Sequence, residues 1–278
     1  MRIAHLVNPV KVGEDRDLYW QQPITYESMR IAKEFYNGEV EHIACFYPED
    51  EEIVPDGFIK TELLERSTEG KFETERKLPY FREMLDKLYA TSDADYFIQT
   101  NADIGLQPFF YNFVETLIEG GCDSFCINKR IIPEELQDDG LVAMWASPGK
   151  PHAGCDCFVF RRELWPKMNI GEIIMGTPWS ETTLMTNMIA HAKNFDVFKN
   201  AYATFHLGDR RIWLRQFKDH RVHNTNEFAR ILKILSKRNK KILKHEAIVN
   251  QLIKLKIEVE GYTRQGETYS QDCWNFIQ

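Results

Sequence analysis

Short apolar runs alternate with segments of helical periodicity through the first half of the chain, and this alternation limits the possible folds more than any other feature. Five runs have the length and composition of strands: 2–7, 40–47, 95–100, 122–130 and 154–162. Between the early runs, apolar residues recur at helical spacing in three segments: 24–36, 77–90 and 108–118. Strands that alternate with helices form mainly parallel sheets, because each connecting helix covers one face of the sheet. The pattern therefore predicts an α/β fold with a mostly parallel central sheet and helices on both faces.

The second half of the chain has a different pattern. We expect a helix over 180–193, a strand over 201–208 and one or two amphipathic helices over 226–256. The segment 131–151 contains three prolines and is expected to form a flexible loop over the ligand-binding site.

Composition places the chain among ordinary globular proteins. Of its 278 residues 43% are hydrophobic and 13% aromatic, enough for a packed core. No apolar run reaches the roughly 18 residues of a membrane span, and the N-terminus lacks the apolar stretch and cleavage site of a secretory signal. The six cysteines are scattered, without the spacing of a zinc site. These features predict a cytoplasmic protein with free thiols and no transmembrane segment.

Charge is distributed unevenly. The chain carries a net charge of −7, yet residues 207–256 hold 14 Lys and Arg against four acidic residues, a local charge of +10. Such asymmetry indicates either a solvated helix face or a surface for a polyanion or an anionic membrane, and both interpretations stay open.

The segment YFIQTNADI carries polar side chains to the end of an apolar strand. Asn101 and Asp103 lie at the carboxyl edge of the predicted sheet, where ligands bind in open α/β folds. Their oxygen atoms suit Mg²⁺ or Mn²⁺, which also bind substrate phosphates and water. Asn and Asp end strands for purely structural reasons too. His206, at the end of a later apolar run, strengthens the metal interpretation because imidazole is a good ligand for Mn²⁺.

The order of these elements resembles that of GT-A fold glycosyltransferases, which implies a Rossmann-like fold. Members of this family carry an acidic metal motif at a strand end, usually Asp-x-Asp, and many add a late histidine ligand. The matching positions here are Asn101-Ala102-Asp103 and His206. The resemblance implies a nucleotide-sugar donor, with a UDP-sugar such as UDP-glucose expected, and Mn²⁺ or Mg²⁺ as cofactor.

The resemblance also implies a division of the chain into regions. We expect a GT-A domain over 1–215 and a C-terminal basic helical extension over 216–278. Within the domain, the nucleotide-binding half covers about 1–130 and the acceptor half about 131–215.

Particular donor-side residues follow from the same resemblance. Because Asn101 replaces the usual first aspartate, Asp103 is expected to be the main metal ligand, with His206, while Asn101 contacts the metal, its water or the ribose. The loop after the first strand is expected to hold the base through Val7, Asn8 and Pro9. The basic residues expected at the donor phosphates are Arg76, Lys77, Arg210 and Arg211.

The segment PWSETTLMTNMIAHA (178–192) resembles the region that carries the acceptor-side carboxylate in inverting members. Glu181 occupies that position and would take the proton from the acceptor hydroxyl, with inversion at the sugar C1. Asp156 is the competing candidate for the base. His152 and Trp179 are expected to contact the acceptor, because aromatic rings stack on sugars and bases.

The acceptor stays open at this point. A saccharide or a lipid-linked saccharide is one class. The Asn-x-Asp motif followed by Ile also resembles the base J glucosyltransferase and its relatives, which glucosylate 5-hydroxymethyl pyrimidines in DNA, and the basic region agrees with a DNA acceptor. Two other functions stay open: a nucleotidyltransferase, which is disfavoured because VNPVKVGED holds a single glycine, and a non-catalytic nucleic-acid-binding module.

Overall fold

The computed structural model of the protein describes residues 1–209 and 218–277. Its contacts divide the chain into two compact units. The first unit contains Met1–Glu65, Asp86–Trp165 and residues 192–209. The second contains Arg66–Leu85, Pro166–His191 and the described residues from 218 onward. The predicted domain boundary at residue 215 lies outside the described residues.

A single mixed sheet forms the centre of the first unit. Its strands are β1 (Arg2–Val7), β2 (Glu39–Ala44), β3 (Ile59–Lys60), β4 (Tyr96–Thr100), β5 (Gly105–Leu106), β6 (Ser124–Ile132), β7 (Lys150–Arg161), β8 (Phe195–Phe198) and β9 (Thr204–Leu207). They pair in the order β3-β2-β1-β4-β7-β6-β9-β5, with β8 also paired to β6. β7 runs antiparallel to both its neighbours, and β5 runs antiparallel to β9. The other pairs are parallel, as the sequence predicted.

Helices cover both faces of this sheet. The described α-helices are α1 (Asp17–Glu34), α2 (Phe81–Thr91), α3 (Phe110–Glu119), α4 (Gly140–Ala146), α5 (Ser180–His191), α6 (Lys218–Arg238), α7 (Glu246–Thr263) and α8 (Gln271–Ile277). Side chains of α1 and α3 pack with Ile3 and Ile98 in one buried cluster. On the other face, the Tyr89 ring at the end of α2 lies edge-on to Phe97, with ring centroids 6.4 Å apart. This layering confirms the predicted α/β class.

The sequence analysis did not predict the short strands β3, β5 and β8, and two further parts of the first unit differ from its expectations. α1 begins at Asp17, seven residues before the predicted start, and continues through Pro23. The turn before the proline is stabilised by tertiary contacts, because the Gln21 amide donates to the carbonyl of Leu207 and Gln22 bonds both backbone groups of Val10. These hydrogen bonds offset the disruption that an internal proline causes.

The segment 131–151 is the second difference, because it contains helices where a flexible loop was expected. A 3-10 helix, Glu134–Gln137, is followed by α4. The buried Arg130 guanidinium donates to the carbonyls of Met144 and Trp145 at the C-terminal end of α4. A cation at this end satisfies unpaired carbonyls and interacts favourably with the helix dipole, so it stabilises α4.

The described part of the second unit is mainly helical. Its core includes Phe228 and Leu235 of α6 together with Leu255 and Val259 of α7. The single predicted amphipathic segment over 226–256 is two helices, separated by a 3-10 turn over Lys240–Lys244. Among the described residues, no helix combines the length and apolar character needed to cross a membrane.

Candidate active site

The pairing of β5 with β9 brings the two predicted metal ligands together. Asp103 lies in the turn between β4 and β5, and Gly105 of β5 pairs with Phe205 of β9. A Cβ atom on Gly105 would lie 2.3 Å from the Phe205 ring, so only glycine allows this close approach. Asp103 therefore lies beside His206, the next residue along β9.

The side chains of this pair are in direct contact. Asp103 Oδ2 lies 3.2 Å from His206 Nε2, and His206 Nδ1 lies 2.8 Å from the carbonyl oxygen of Gly208. Because a carbonyl only accepts hydrogen bonds, Nδ1 carries a hydrogen. In the neutral ring Nε2 then presents its lone pair toward Asp103, the orientation that metal-binding histidines adopt.

The electrostatics of the pair favour two opposite charges when no cation is present. Burial alone would raise the pKa of Asp103, but His206 and, more weakly, Lys129 outweigh it and lower this pKa to about 2. Burial alone would lower the pKa of His206, but the Asp103 carboxylate outweighs it and raises this pKa above its ordinary value. Asp103 is thus a carboxylate at neutral pH, the form that binds cations.

The chemistry of the pair fits a hard or borderline divalent cation. Asp103 Oδ1 is buried and has no hydrogen-bond partner within residues 1–209 and 218–277. In this part of the chain, no cluster of three or more His, Cys, Asp or Glu residues could hold a metal ion. Mg²⁺ and Mn²⁺ commonly take only one or two protein ligands and complete their coordination with water and substrate phosphates. The unpaired oxygen and the imidazole lone pair are suitable for that role.

A second charged group lies in the same unit and centres on Asp156. Lys129 Nζ lies 3.2 Å from Asp156 Oδ1, and His152 Nδ1 lies 3.8 Å from Asp156 Oδ2. The side chains of Lys129 and Asp156 are only 13% and 12% exposed. Because Lys129 also lowers the pKa of Asp103, its charge acts on the Asp103–His206 pair as well.

Lys129 was missed by the sequence analysis, and the sheet explains why. The register of β6 against β7 shifts between Ile127 and Asn128 and again between Asn128 and Arg130. Such irregularities interrupt the simple alternation of strand side chains and re-aim one of them. The run CINKR gives no sign of these register shifts, because only the regular alternation of strand side chains can be read from the sequence.

The loop after β1 is fastened at several points. The Asn8 side-chain amide donates to the carbonyl of Cys45 at 2.6 Å, and the backbone amide of Lys11 donates to Asp50 Oδ1 at 2.7 Å. Val7 and Pro9 are buried, whereas Asn8 is partly exposed.

Asn101 begins the turn that carries Asp103, and its carbonyl accepts from the amide of Ile104 at 3.2 Å. All of these residues belong to the first unit.

Four other predicted site residues, Arg76, Lys77, Trp179 and Glu181, belong to the second unit. Glu181 Oε2 accepts from the Ser180 hydroxyl at 2.9 Å. The Trp179 indole is buried: it stacks on Phe228 with ring centroids 4.8 Å apart and donates to Glu258. This packing argues against an acceptor-stacking role for Trp179. Arg210 and Arg211 lie outside the described residues.

Comparisons with known proteins identify the fold. No protein-family model and no curated protein sequence matches the chain. The chain is similar to the crystal structure of S. aureus TarS 1–349 in complex with UDP, with a TM-score of 0.50 and 10% identity over 92% of this chain and 78% of that chain. A second crystal structure of S. aureus TarS matches with a TM-score of 0.50 and 11% identity, over 98% of this chain and 45% of that one.

A third structure has a lower TM-score. It is glucosyl-3-phosphoglycerate synthase from Mycobacterium tuberculosis in complex with Mn²⁺, UDP and phosphoglyceric acid, at a TM-score of 0.48 and 14% identity over 84% of this chain and 78% of that chain. Because the two TarS structures are only 10% and 11% identical to this chain, their likeness to it is one of fold alone. Together with the layered sheet, it shows that this chain has the GT-A fold expected from its sequence.

Proposed function

We propose that this chain is a metal-dependent glycosyltransferase that moves a sugar from a nucleotide-diphospho-sugar, most simply a UDP-sugar such as UDP-glucose, to an acceptor hydroxyl. One observation carries the proposal. Asp103 Oδ2 and His206 Nε2 lie 3.2 Å apart after β4, and the second carboxylate oxygen of Asp103 is buried without a hydrogen-bond partner in the described part of the chain. The GT-A fold supports it.

The donor side of the proposed site combines this pair with the loop after β1. Asp103 and His206 would hold Mn²⁺ or Mg²⁺, and Asn101 would contact the metal, its water or the ribose. When bound, the cation supplies Lewis-acid stabilisation of the diphosphate leaving group. The loop residues Val7, Asn8 and Pro9 would contact the base. Basic residues proposed at the phosphates are Arg76, Lys77, Arg210 and Arg211.

The acceptor side needs a base for the attacking hydroxyl. Asp156 is supported by its place in the first unit, where Lys129 interacts both with it and with Asp103. His152, beside Asp156, would then contact the acceptor. Glu181, the first candidate from the sequence, also stays a proposed base because of its position at the start of α5. With either carboxylate as base, the reaction inverts the configuration at C1.

The proposed acceptor is a saccharide or a lipid-linked saccharide. Offering labelled donor to saccharides, to lipid-linked saccharides and to DNA that contains 5-hydroxymethyl pyrimidines separates these classes. Label transferred only to the DNA would favour a DNA glucosyltransferase.

The decisive experiment concerns Asp103. Asp103→Asn keeps the size of the side chain but removes its charge, so we expect hydrolysis of UDP-sugar in the presence of Mn²⁺ to fall by at least 100-fold, about 2.7 kcal/mol of lost stabilisation. Asp56→Asn, an exposed aspartate in the loop before β3, is the matched control and should retain full hydrolysis. Circular dichroism and thermal melting check that both variants fold.

Two results would contradict the proposal. The first is Mn²⁺-dependent hydrolysis that persists in folded Asp103→Asn. The second is a wild-type protein whose melting temperature responds to no combination of Mn²⁺ with UDP-, GDP- or CMP-sugars, because a ligand bound only by the folded state raises that temperature.

A further inference from the structure

Helix α7 presents apolar residues on two opposite faces. One face, with Ile248, Leu255 and Val259, is buried in the core of the second unit. The opposite face carries a stripe made of Val249, Ile253 and Ile257, which are 40%, 55% and 68% exposed. Residues four apart lie one above the other on a helix, so these three side chains form one continuous line. We refer to them as the α7 stripe.

Exposed cations are frequent in the sequence before and along the α7 stripe. They lie at the end of α6, in the 3-10 turn that leads directly into α7, and on and just beyond α7 itself: Lys237, Arg238, Lys240, Lys241, Lys244, Lys254, Lys256 and Arg264. Two acidic residues lie in line with the stripe, and one of them, Glu260, has Lys256 at 3.8 Å. The other, Glu246, opens the helix. Lys254 and Lys256 flank the stripe on α7, and exposed basic residues outnumber acidic ones in the adjoining segments.

We propose that the α7 stripe and the neighbouring cations form a docking surface for an anionic lipid bilayer. An amphipathic helix that lies in the membrane interface needs an apolar stripe to enter the acyl boundary and cations to contact the headgroups, and α7 has both. Each basic residue near an anionic leaflet adds about fivefold to the affinity. This inference is independent of the proposed glycosyl transfer.

Two other occupants fit the surface less well. Nucleic acid would use the cations but would gain nothing from three aliphatic side chains exposed between them. A second copy of the chain would bring two equally cationic surfaces together, and three side chains supply far less than the roughly 800 Å² per partner of a standard interface. The combination of aliphatic side chains with cations is what selects the bilayer.

The experiment is sedimentation of the full chain with two kinds of vesicle. One kind contains phosphatidylcholine alone, and the other also contains about 30% phosphatidylglycerol, an anionic lipid. We expect binding to the anionic vesicles only, weakened by added salt because salt screens exposed charges. The double variant Ile253→Asp with Ile257→Asp should lose at least tenfold in binding. Val142→Asp, which places one carboxylate on an apolar residue that is 75% exposed in the first unit, is the matched control and should bind normally.

Four outcomes would overturn the proposal. The first is absence of binding to anionic vesicles, and the second is equal binding to neutral ones. The third is binding that is abolished by charge reversal of Lys240 and Lys241 but unchanged in the stripe variant. The fourth is a dimer, detected by light scattering, that dissociates in the stripe variant. The third outcome would indicate a contact made by charge alone, as with nucleic acid, and the fourth a second copy. Asp103→Asn should bind vesicles like the wild type, so failure here and failure of the proposed function are distinguishable.

Discussion

Histidines in two regions of the first unit experience opposite electrostatic environments. In the core, His5 Nδ1 and His42 Nε2 lie 2.9 Å and 3.1 Å from the Tyr111 hydroxyl. Burial lowers the pKa of His42 to about 3 and that of His5 well below its ordinary value. At the candidate site, Asp103 outweighs the effect of burial and raises the pKa of His206. Core histidines are therefore neutral, whereas the histidine beside Asp103 is stabilised in its charged form.

The difference shows what separates a candidate ligand from a structural histidine. All three residues lie on strands, so position on a strand does not distinguish them. His5 and His42 have hydroxyl partners, which can donate and accept, and so satisfy a neutral ring. His206 has a carboxylate with a second, unpaired oxygen, and both side chains remain partly exposed, at 15% and 25%. An acidic partner and access for a ligand distinguish the candidate ligand from the core histidines.

The largest expected effect comes from removing one histidine of each kind. His206→Ala should lower Mn²⁺-dependent donor turnover by at least 100-fold, because it removes one of the proposed protein ligands, and circular dichroism should show that the variant folds. His42→Ala should do the opposite: it should lower the free energy of unfolding by about 2–3 kcal/mol, because it leaves a cavity, yet keep the turnover of the folded fraction. Urea titrations and steady-state rates measure both.

The contrast fails if both variants lose turnover to the same extent after correction for the folded fraction. Such a result would mean that the two regions act as one network, and that His206 has no separate role as a ligand.

The second prediction uses pH to sharpen the contrast. His42 is neutral in the folded protein down to a pKa of about 3, but in the unfolded chain it gains a proton near pH 6.5. Its contribution to stability is therefore complete above pH 6.5 and is lost as pH falls toward 3, about 2 kcal/mol by pH 5. His206 has the opposite sign, because its raised pKa favours the folded state as pH falls.

Comparison of wild type with His42→Phe isolates the contribution of His42, since all other titrating groups are shared. We expect the free energy of unfolding, measured in urea at pH 7, 6 and 5, to fall less steeply in the variant. Equal slopes for the two proteins would show that His42 is already charged or solvated in the folded state.

The order of the longer elements could be predicted from local sequence patterns, because each element is set by its own run of apolar residues. The meeting of Asp103 with His206 was expected from the resemblance to GT-A glycosyltransferases, and the long-range pairing of β5 with β9 produces it. β1 was predicted at its observed bounds, 2–7, since its apolar run ends sharply at Asn8-Pro9. What could not be predicted depends on tertiary contacts. Gln21 and Gln22 extend α1 through a proline, and Arg130 orders α4.

The site shows the same limit. Lys129 became visible only through the irregular register of β6, which no residue pattern encodes. Likewise, an indole at 178–192 resembles an acceptor contact in sequence, and only the structure shows that Trp179 packs on Phe228. The positions of residues at strand ends were therefore easier to predict than the surroundings of residues whose contacts depend on which face of an element they occupy.

The smallest expected effect concerns the hydroxyl that the two core histidines share. Tyr111→Phe removes it without changing ring packing, and two buried ring nitrogens then lose their partner, so we expect the free energy of unfolding to fall by about 2 kcal/mol or less. Tyr26→Phe is the matched control: its buried hydroxyl donates to Gln22 alone, so its loss should be smaller. Urea titrations of both variants give the comparison. A Tyr111→Phe protein as stable as the wild type would mean that water replaces the hydroxyl, and the core histidines would then be less isolated from solvent than their lowered pKa values indicate.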